Sequence, residues 1–241
     1  MNEIIDINSL FGPLPSASAD LTVETLLELL QKHQVGKACA LSTLGILLDP
    51  IVGNAVTRAT CVEYPELIPV ATINPLRFFG DASPILKLLS EGFRMIRFFP
   101  DLQRWPIVFT PFAEVIRILH EISLPIMVDV SSPGDITNLS SVMEEYPGAV
   151  ALSGVSITTL AEAVSTLRKQ QNWFLETSRL LAPGAIRAAA DNIGADRILF
   201  GTRAPELPVA SSLRALEFAG LSEKYQEQIV SSNAVNFLSL S

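Results

Sequence analysis

Polar residues that interrupt or end short apolar runs are the places where this chain can do chemistry. They are Asp6 and Asn8, Ser42, Asn74, Arg97, Asp129, Ser153, Glu176 and Ser178, and Arg203. Asp6 sits inside the run Ile4, Ile5, Asp6, Ile7, where an unpaired carboxylate would be costly. It therefore needs either a structural partner or a functional one. Extended-chain alternation puts Asp6 and Asn8 on one side of a strand and turns Ile7 away. Asp6 and Asp129 are candidate catalytic bases for water, and Arg203 can stabilise an oxyanion. Arg97, Arg179 and Arg203 carry planar forks that match carboxylates, so together with Asn8, Ser153 and Glu176 they form a candidate ligand-binding set. Ser153 and Ser178 are hydroxyls without a histidine base at hand, and structural hydrogen bonding is expected of each.

The chain has only two histidines, His33 and His120, and both fall in helical segments away from these positions. Zinc favours nitrogen and sulfur, and an open catalytic site needs about three protein ligands. The oxygens of Asp6, Asp129, Glu176 and Asn8 suit magnesium or manganese better, yet Arg203 would compete for the same carboxylates. No metal and no other cofactor is expected. Cys39 and Cys61 are not in a metal-binding spacing and read as reduced thiols of a cytoplasmic protein.

Short apolar runs alternate with segments of helical period, the pattern of repeated βαβ units. Strands are expected at 4–7, 38–41, 68–73, 93–98, 126–130, 150–152, 173–175 and 198–200. A Pro- and Ser-rich loop over 12–19 precedes the first helix, 22–33, in which Val23, Leu26, Leu27 and Leu30 share a face. Further helices are expected at 50–62, 84–90, 111–122, 136–145, 160–169, 184–192 and 209–218, with extra ones at 222–231 and 234–238. Eight strand–helix pairs in 241 residues predict one α/β domain over 1–241, a single (β/α)8 TIM barrel with extra C-terminal helices. An open doubly wound sheet would usually carry a Gly-rich phosphate loop after an early strand, and none is present.

Composition narrows the partners. With 49% hydrophobic and 17% charged residues the chain is globular, and a net charge of −8 without a basic run argues against nucleic acid. Glu3 and Asp6 near the start do not suit a signal peptide, and no apolar run is long enough to span a membrane. A small anionic molecule is the expected partner, and self-association stays open. Phe98, Phe99, Trp105 and Phe109 cluster around the loop after the fourth strand and fill core, wall a pocket or cover a subunit contact. Tyr64 and Tyr146, each followed by proline, read as helix-ending features.

The run 5–12, Ile-Asp-Ile-Asn-Ser-Leu-Phe-Gly, resembles the opening Asp-x-His-x-His segment of the amidohydrolase superfamily, closest to amidohydrolase family 2. The segment 194–205, Gly-Ala-Asp-Arg-Ile-Leu-Phe-Gly-Thr-Arg-Ala-Pro, is similar to that branch's eighth-strand signature. The ending at Ser232, Asn233 and Ala234 resembles its closing helix, and 125–129 and 149–154 fit its fifth and sixth strands. The resemblance implies a TIM-barrel hydrolase or decarboxylase with a metal held at the strand ends. Against that pattern the two first-strand histidines read Asn8 and Leu10. The fifth- and sixth-strand histidines read Asp129 and Ser153, and the eighth-strand aspartate reads Arg203. Only Asp6 of the opening motif remains.

Two arrangements follow. In the first, Arg203 stands in for the lost cation and pairs with Asp6, Asp129 or Glu176. In the second, Arg97, Arg179 and Arg203 gather a small anion. Hydrolysis without metal is known in a dicarboxylate lactonase branch of the superfamily, so the expected function is a metal-independent hydrolase or a binder of a small carboxylate. The rival is a catalytically inactive relative kept as a structural or interaction module. An open pocket lined by these charges would favour the enzyme. A mouth plugged by salt bridges with an exposed apolar patch would favour the rival.

Overall fold

Parallel strands cannot be joined by hairpins, so each must be followed by a crossover that covers the sheet's outer face. The computed structural model describes residues 3–15 and 20–240, and it carries eight such strands. They are β1 (Ile4–Phe11), β2 (Val35–Ser42), β3 (Leu67–Thr72), β4 (Met95–Phe98), β5 (Ile126–Asp129), β6 (Val150–Ser153), β7 (Trp173–Glu176) and β8 (Ile198–Leu199). Each pairs with the next in chain order. The ring closes where Ile7 N donates to Phe200 O at 3.0 Å, Leu10 N to Ala204 O at 2.9 Å and Arg203 N to Asn8 O at 2.6 Å. This is the expected (β/α)8 TIM barrel.

The helices in chain order are α1 (Val23–Lys32), α2 (Leu44–Leu47), α3 (Pro50–Glu63), α4 (Ser83–Leu86), α5 (Pro100–Gln103) and α6 (Thr110–Leu119). They continue as α7 (Asp135–Val142), α8 (Leu160–Leu167), α9 (Ala185–Ile193), α10 (Val209–Glu217), α11 (Glu223–Glu227) and α12 (Asn233–Phe237). Caps fix several starts. Thr22 Oγ1 accepts from Thr25 N, and Asp49 accepts from Ile51 N and Val52 N with Pro50 in the first turn. None of the helices among the described residues is long and apolar enough to cross a membrane.

Several expected bounds are corrected: the helix expected at 84–90 stops at Leu86, and the strand expected from Phe93 starts at Met95. β1 runs to Phe11 instead of stopping at Ile7, since Ser9, Leu10 and Phe11 pair with Ala40, Leu41 and Ser42. Residues 12–15 follow as expected, while the part of that loop at 16–19 lies outside the described residues. The helix expected at 222–231 breaks into α11 and a wider turn, Gln228–Ser232, that runs into α12. Asn233 Nδ2 donates to Ala195 O and Ile198 O at 2.8 Å each, which anchors this ending against β8. The small helices α2 and α5 are too short to leave a periodic signal.

Alternation sorts the strand side chains into two layers. Cys39, Leu41, Ile68, Val70, Met95, Phe99, Met127, Ala151 and Leu199 pack inside the barrel with Ala234, Phe237 and Leu238. Ile96, Phe98, Ile126, Val128, Val150 and Leu152 pack outward against the helices. The aromatic cluster after β4 is core: Phe98, Trp105 and Phe112 stack with centroids 4.9–6.3 Å apart, Phe99 joins the interior and Phe109 packs partly buried.

β1 breaks the alternation. Asp6 pairs with Ala38 but Ser9 pairs with Ala40, so β1 holds one residue more than its partner. Such bulges re-aim side chains. Ile7 therefore joins Ile5 and Leu10 in the interior cluster instead of facing away from it.

Asp6 itself is a seam residue. Its Oδ1 accepts from Asn8 N at 2.9 Å and Thr202 N at 3.0 Å, and its Oδ2 accepts from the Thr202 hydroxyl, so it stitches β1 to the segment after β8. Full burial pushes its carboxyl from 3.8 up to about 7, against the opposing hydrogen bonds of Thr202 and Asn8. The folded chain thus keeps a proton that the unfolded chain gives up, and this contribution to stability is lost as pH rises from about 4 through about 7. Asn cannot titrate. The melting temperature of Asp6→Asn relative to wild type should therefore move in the variant's favour between pH 5 and pH 8, and a gap that stays constant would contradict this role.

Candidate functional site at the barrel mouth

β4 turns Met95, Arg97 and Phe99 inward, which places a guanidinium among apolar neighbours at the strand ends. Arg97 is paired in register with Met127, so Asp129, two residues further along β5, stands one step above it on the same inner face. Arg97 Nε and Nη2 donate to Asp129 Oδ1 at 3.1 and 2.8 Å, and Nη1 donates to Asn8 Oδ1 at 2.5 Å. The guanidinium also lies 4.5 Å from the centre of the Phe99 ring. All three of its nitrogens are engaged, and the side chain is 1% exposed.

The other oxygen of Asp129 belongs to a second cation. Arg203 Nη1 donates to Asp129 Oδ2 at 2.8 Å, and its Nε donates to Glu206 Oε2 at 2.6 Å. Arg203 adopts the left-handed backbone region at φ 59°, a conformation rare for a side-chain-bearing residue and found at functional or strained sites. Burial alone would raise the Asp129 carboxyl. Arg97 and Arg203 outweigh it and hold the group below the usual carboxylate range. Burial likewise works against the charge on Arg203, but Asp129 and Glu206 hold its guanidinium firmly protonated.

Beneath this chain of ion pairs lies a polar cluster. Glu176 Oε2 accepts from Ser178 Oγ at 2.8 Å, Asn8 Nδ2 at 3.0 Å and Ser153 Oγ at 3.1 Å, while its Oε1 accepts from Ser178 N at 2.5 Å. Burial pushes this carboxyl up, and the hydrogen bonds from Ser178 and Asn8 offset part of the shift. Asn8 joins the two halves: its carbonyl oxygen takes Arg97 and its amide nitrogen serves Glu176 and Ser153. Gly201 leaves room for the carboxylate, because a Cβ there would lie 2.0 Å from Glu176 Oε1.

The structure brings Asn8, Arg97, Asp129, Ser153, Glu176, Ser178 and Arg203 together. It keeps Asp6 and Arg179 out. Among the described residues Asp6 bonds only its seam partners and does not pair with Arg203. Arg179 is exposed between the buried Ser178 and Leu180 and makes no ion pair among the described residues. Asn74 caps its own turn, accepting from Leu76 N at 3.0 Å, and the buried Ser42 hydroxyl has no partner among the described residues. His33 and His120 sit at helix C-termini, Tyr64 ends α3 and the buried Tyr146 hydroxyl donates to Leu124 O. Sequence reasoning missed Glu206, Thr202 and Gly201. Only the spacing of Glu206 from Arg203 carried a signal for an ion pair. Among the described residues no three His, Cys, Asp or Glu side chains gather as a ligand set.

The sequence pattern of the amidohydrolase family matches residues 56–240, which leaves out β1, β2 and the start of α3. No curated protein matches the chain. Among solved structures, 2,6-dihydroxybenzoate decarboxylase from Rhizobium superposes with a TM-score of 0.78 at 15% identity, over 100% of this chain and 99% of that one. 5-Carboxyvanillate decarboxylase from Sphingomonas paucimobilis gives 0.78 at 12% identity, over 99% of both chains. A probable 2-pyrone-4,6-dicarboxylic acid hydrolase from Acinetobacter baumannii with citric acid bound gives 0.75 at 15% identity, over 99% of this chain and 100% of that one. At such identities the superpositions speak for the fold, and the sequence match speaks for descent: this chain belongs to the amidohydrolase family.

Proposed function

We propose that this chain is a metal-independent member of its family whose barrel mouth binds a small carboxylate-bearing molecule. One observation carries the reading: Asp129 is clamped between Arg97 and Arg203, at strand ends where the resemblance implies metal ligands. The donor set does not fit a divalent cation. Both Asp129 oxygens are committed to guanidiniums, and the Asn8 carbonyl oxygen points at Arg97. A dication there would also face two permanent positive charges, so no chemical step is assigned to a metal.

The same geometry argues against hydrolysis. A general base works best with a pKa near the operating pH, whereas the two arginines hold Asp129 well below it. Asp6 is committed to the barrel seam. What remains is recognition. Among the described residues Arg203 Nη2 has no hydrogen-bond partner, and the Arg203 side chain is 9% exposed. Relatives of this fold include a decarboxylase complexed with 2,6-dihydroxybenzoate and the hydrolase with citric acid bound, both carboxylate ligands. A second reading, a non-catalytic interaction module, draws on the ion pairs that fill the mouth and on the exposed side chains of Leu47, Leu48, Ile51 and Val52 around the start of α3. Unpaired cysteines agree with a cytoplasmic setting for either.

Elemental analysis of the purified protein should find transition metal far below one equivalent, and chelation should leave the melting temperature unchanged. A stoichiometric metal would overturn the reading. Benzoate or citrate at millimolar concentration should raise the melting temperature, by the equivalent of about 2.7 kcal/mol when the ligand reaches a hundredfold of its dissociation constant. Absence of any shift would count against binding. Asp129→Ala leaves two buried guanidiniums without their shared counter-ion and should cost about 3–5 kcal/mol in a denaturant melt. Near-wild-type stability would reject the clamp.

A further inference from the structure

We propose that Glu206 is a built-in competitor at the mouth, a tethered carboxylate that holds the anion position on Arg203 until a small monocarboxylate displaces it. The inference rests on the reading that the mouth binds carboxylates, and it names both the ligand class and the contact that regulates access.

A guanidinium binds a carboxylate best through two parallel N–H groups along one edge. Arg203 has spent Nη1 on Asp129 and Nε on a single oxygen of Glu206, while Nη2 has no partner among the described residues. The Nε/Nη2 edge is therefore half-used. Glu206 places one oxygen where a free carboxylate would place two.

Asp129 cannot be the group that leaves. Its other oxygen neutralises Arg97, which is 1% exposed, so its departure would strand a buried cation. Glu206 is differently placed. Its only hydrogen bond among the described residues is to Arg203, and its side chain is 20% exposed, so it can swing into water and be solvated there. The guanidinium meanwhile stays in place. Arg203 N is bonded to Asn8 O at 2.6 Å, Arg203 O accepts from Leu207 N at 3.1 Å, and Nη1 keeps Asp129. Only the side chain of Glu206 has to move.

Charge sets the class of ligand. With Glu206 turned away, Arg97 and Arg203 face Asp129, and one added negative charge restores the balance. A second carboxylate on the same molecule would be pressed towards the ionised Asp129. A monocarboxylate therefore fits better than a dicarboxylate or phosphate. A latch closed for about 90–99% of the time lowers apparent affinity about ten- to hundredfold.

The test is calorimetric titration of sodium benzoate, citrate and inorganic phosphate into the full chain as wild type, Glu206→Gln, Glu206→Ala and Arg203→Lys, each checked for folding by circular dichroism. The Glu206 variants should bind benzoate about ten- to hundredfold more tightly than wild type, with a smaller gain for citrate and phosphate, and Arg203→Lys should lose the binding. If wild type binds benzoate and neither Glu206 variant binds it more tightly, the latch is refuted while the carboxylate reading survives. An equal gain for phosphate refutes the monocarboxylate class. If no protein binds any of the three, both readings fall together.

Discussion

Asp129 meets Arg97 through one carboxylate oxygen and Arg203 through the other, and the arrangement of the mouth follows from that double contact. Two guanidiniums brought together inside a barrel would repel each other and lose their hydration. A shared carboxylate offsets both effects only if each oxygen serves one of them. The remaining polar groups then fall into place around the pair. Arg97 takes the Asn8 carbonyl oxygen for its third nitrogen, which turns the Asn8 amide towards Glu176, and Ser153 and Ser178 complete that carboxylate's shell. Almost every donor and acceptor is matched, the condition under which a buried polar cluster adds order instead of strain.

The bulge in β1 is the backbone device that makes this possible. A regular strand cannot give Ile7 to the interior and also aim Asn8 at the cluster, because neighbours alternate. One additional residue between Asp6 and Ser9 lets Ile5, Ile7 and Leu10 fill the barrel while Asn8 reaches across to Arg97 and Glu176. It also separates two roles that the spacing of Asp6 and Asn8 had merged. Asp6 closes the barrel against Thr202, and Asn8 organises the mouth.

Within an amidohydrolase-type barrel the substitutions read as one electrostatic exchange. The family resemblance places a metal cation among histidines and an aspartate. This chain places fixed guanidiniums among carboxylates: Asp129 puts a negative charge where the pattern has a neutral histidine, and Arg203 reverses the sign of its aspartate. A guanidinium polarises and binds an anion but cannot generate a hydroxide as a metal does. On the reading proposed above, the exchange favours recognition over turnover, and the lowered Asp129 carboxyl is consistent with that proposal.

Much of this was legible before any coordinates. Alternating apolar runs and helical segments required a closed barrel of parallel strands. The residue types at the strand ends named Asn8, Arg97, Asp129, Ser153, Glu176 and Arg203 as the groups to examine, because each ends or interrupts an apolar run. Local sequence could not choose the partners. Arg203 and Asp129 are 74 positions apart and Asn8 and Glu176 168 apart, so their pairing depends on register and barrel closure, which no local spacing encodes. For the same reason the β1 bulge, the seam role of Asp6, the exposure of Arg179 and the capture of Arg203 by Glu206 were settled only by the tertiary structure. The chain's composition determines which charges must be neutralised, and the closed ring of strands decides which of them can reach one another.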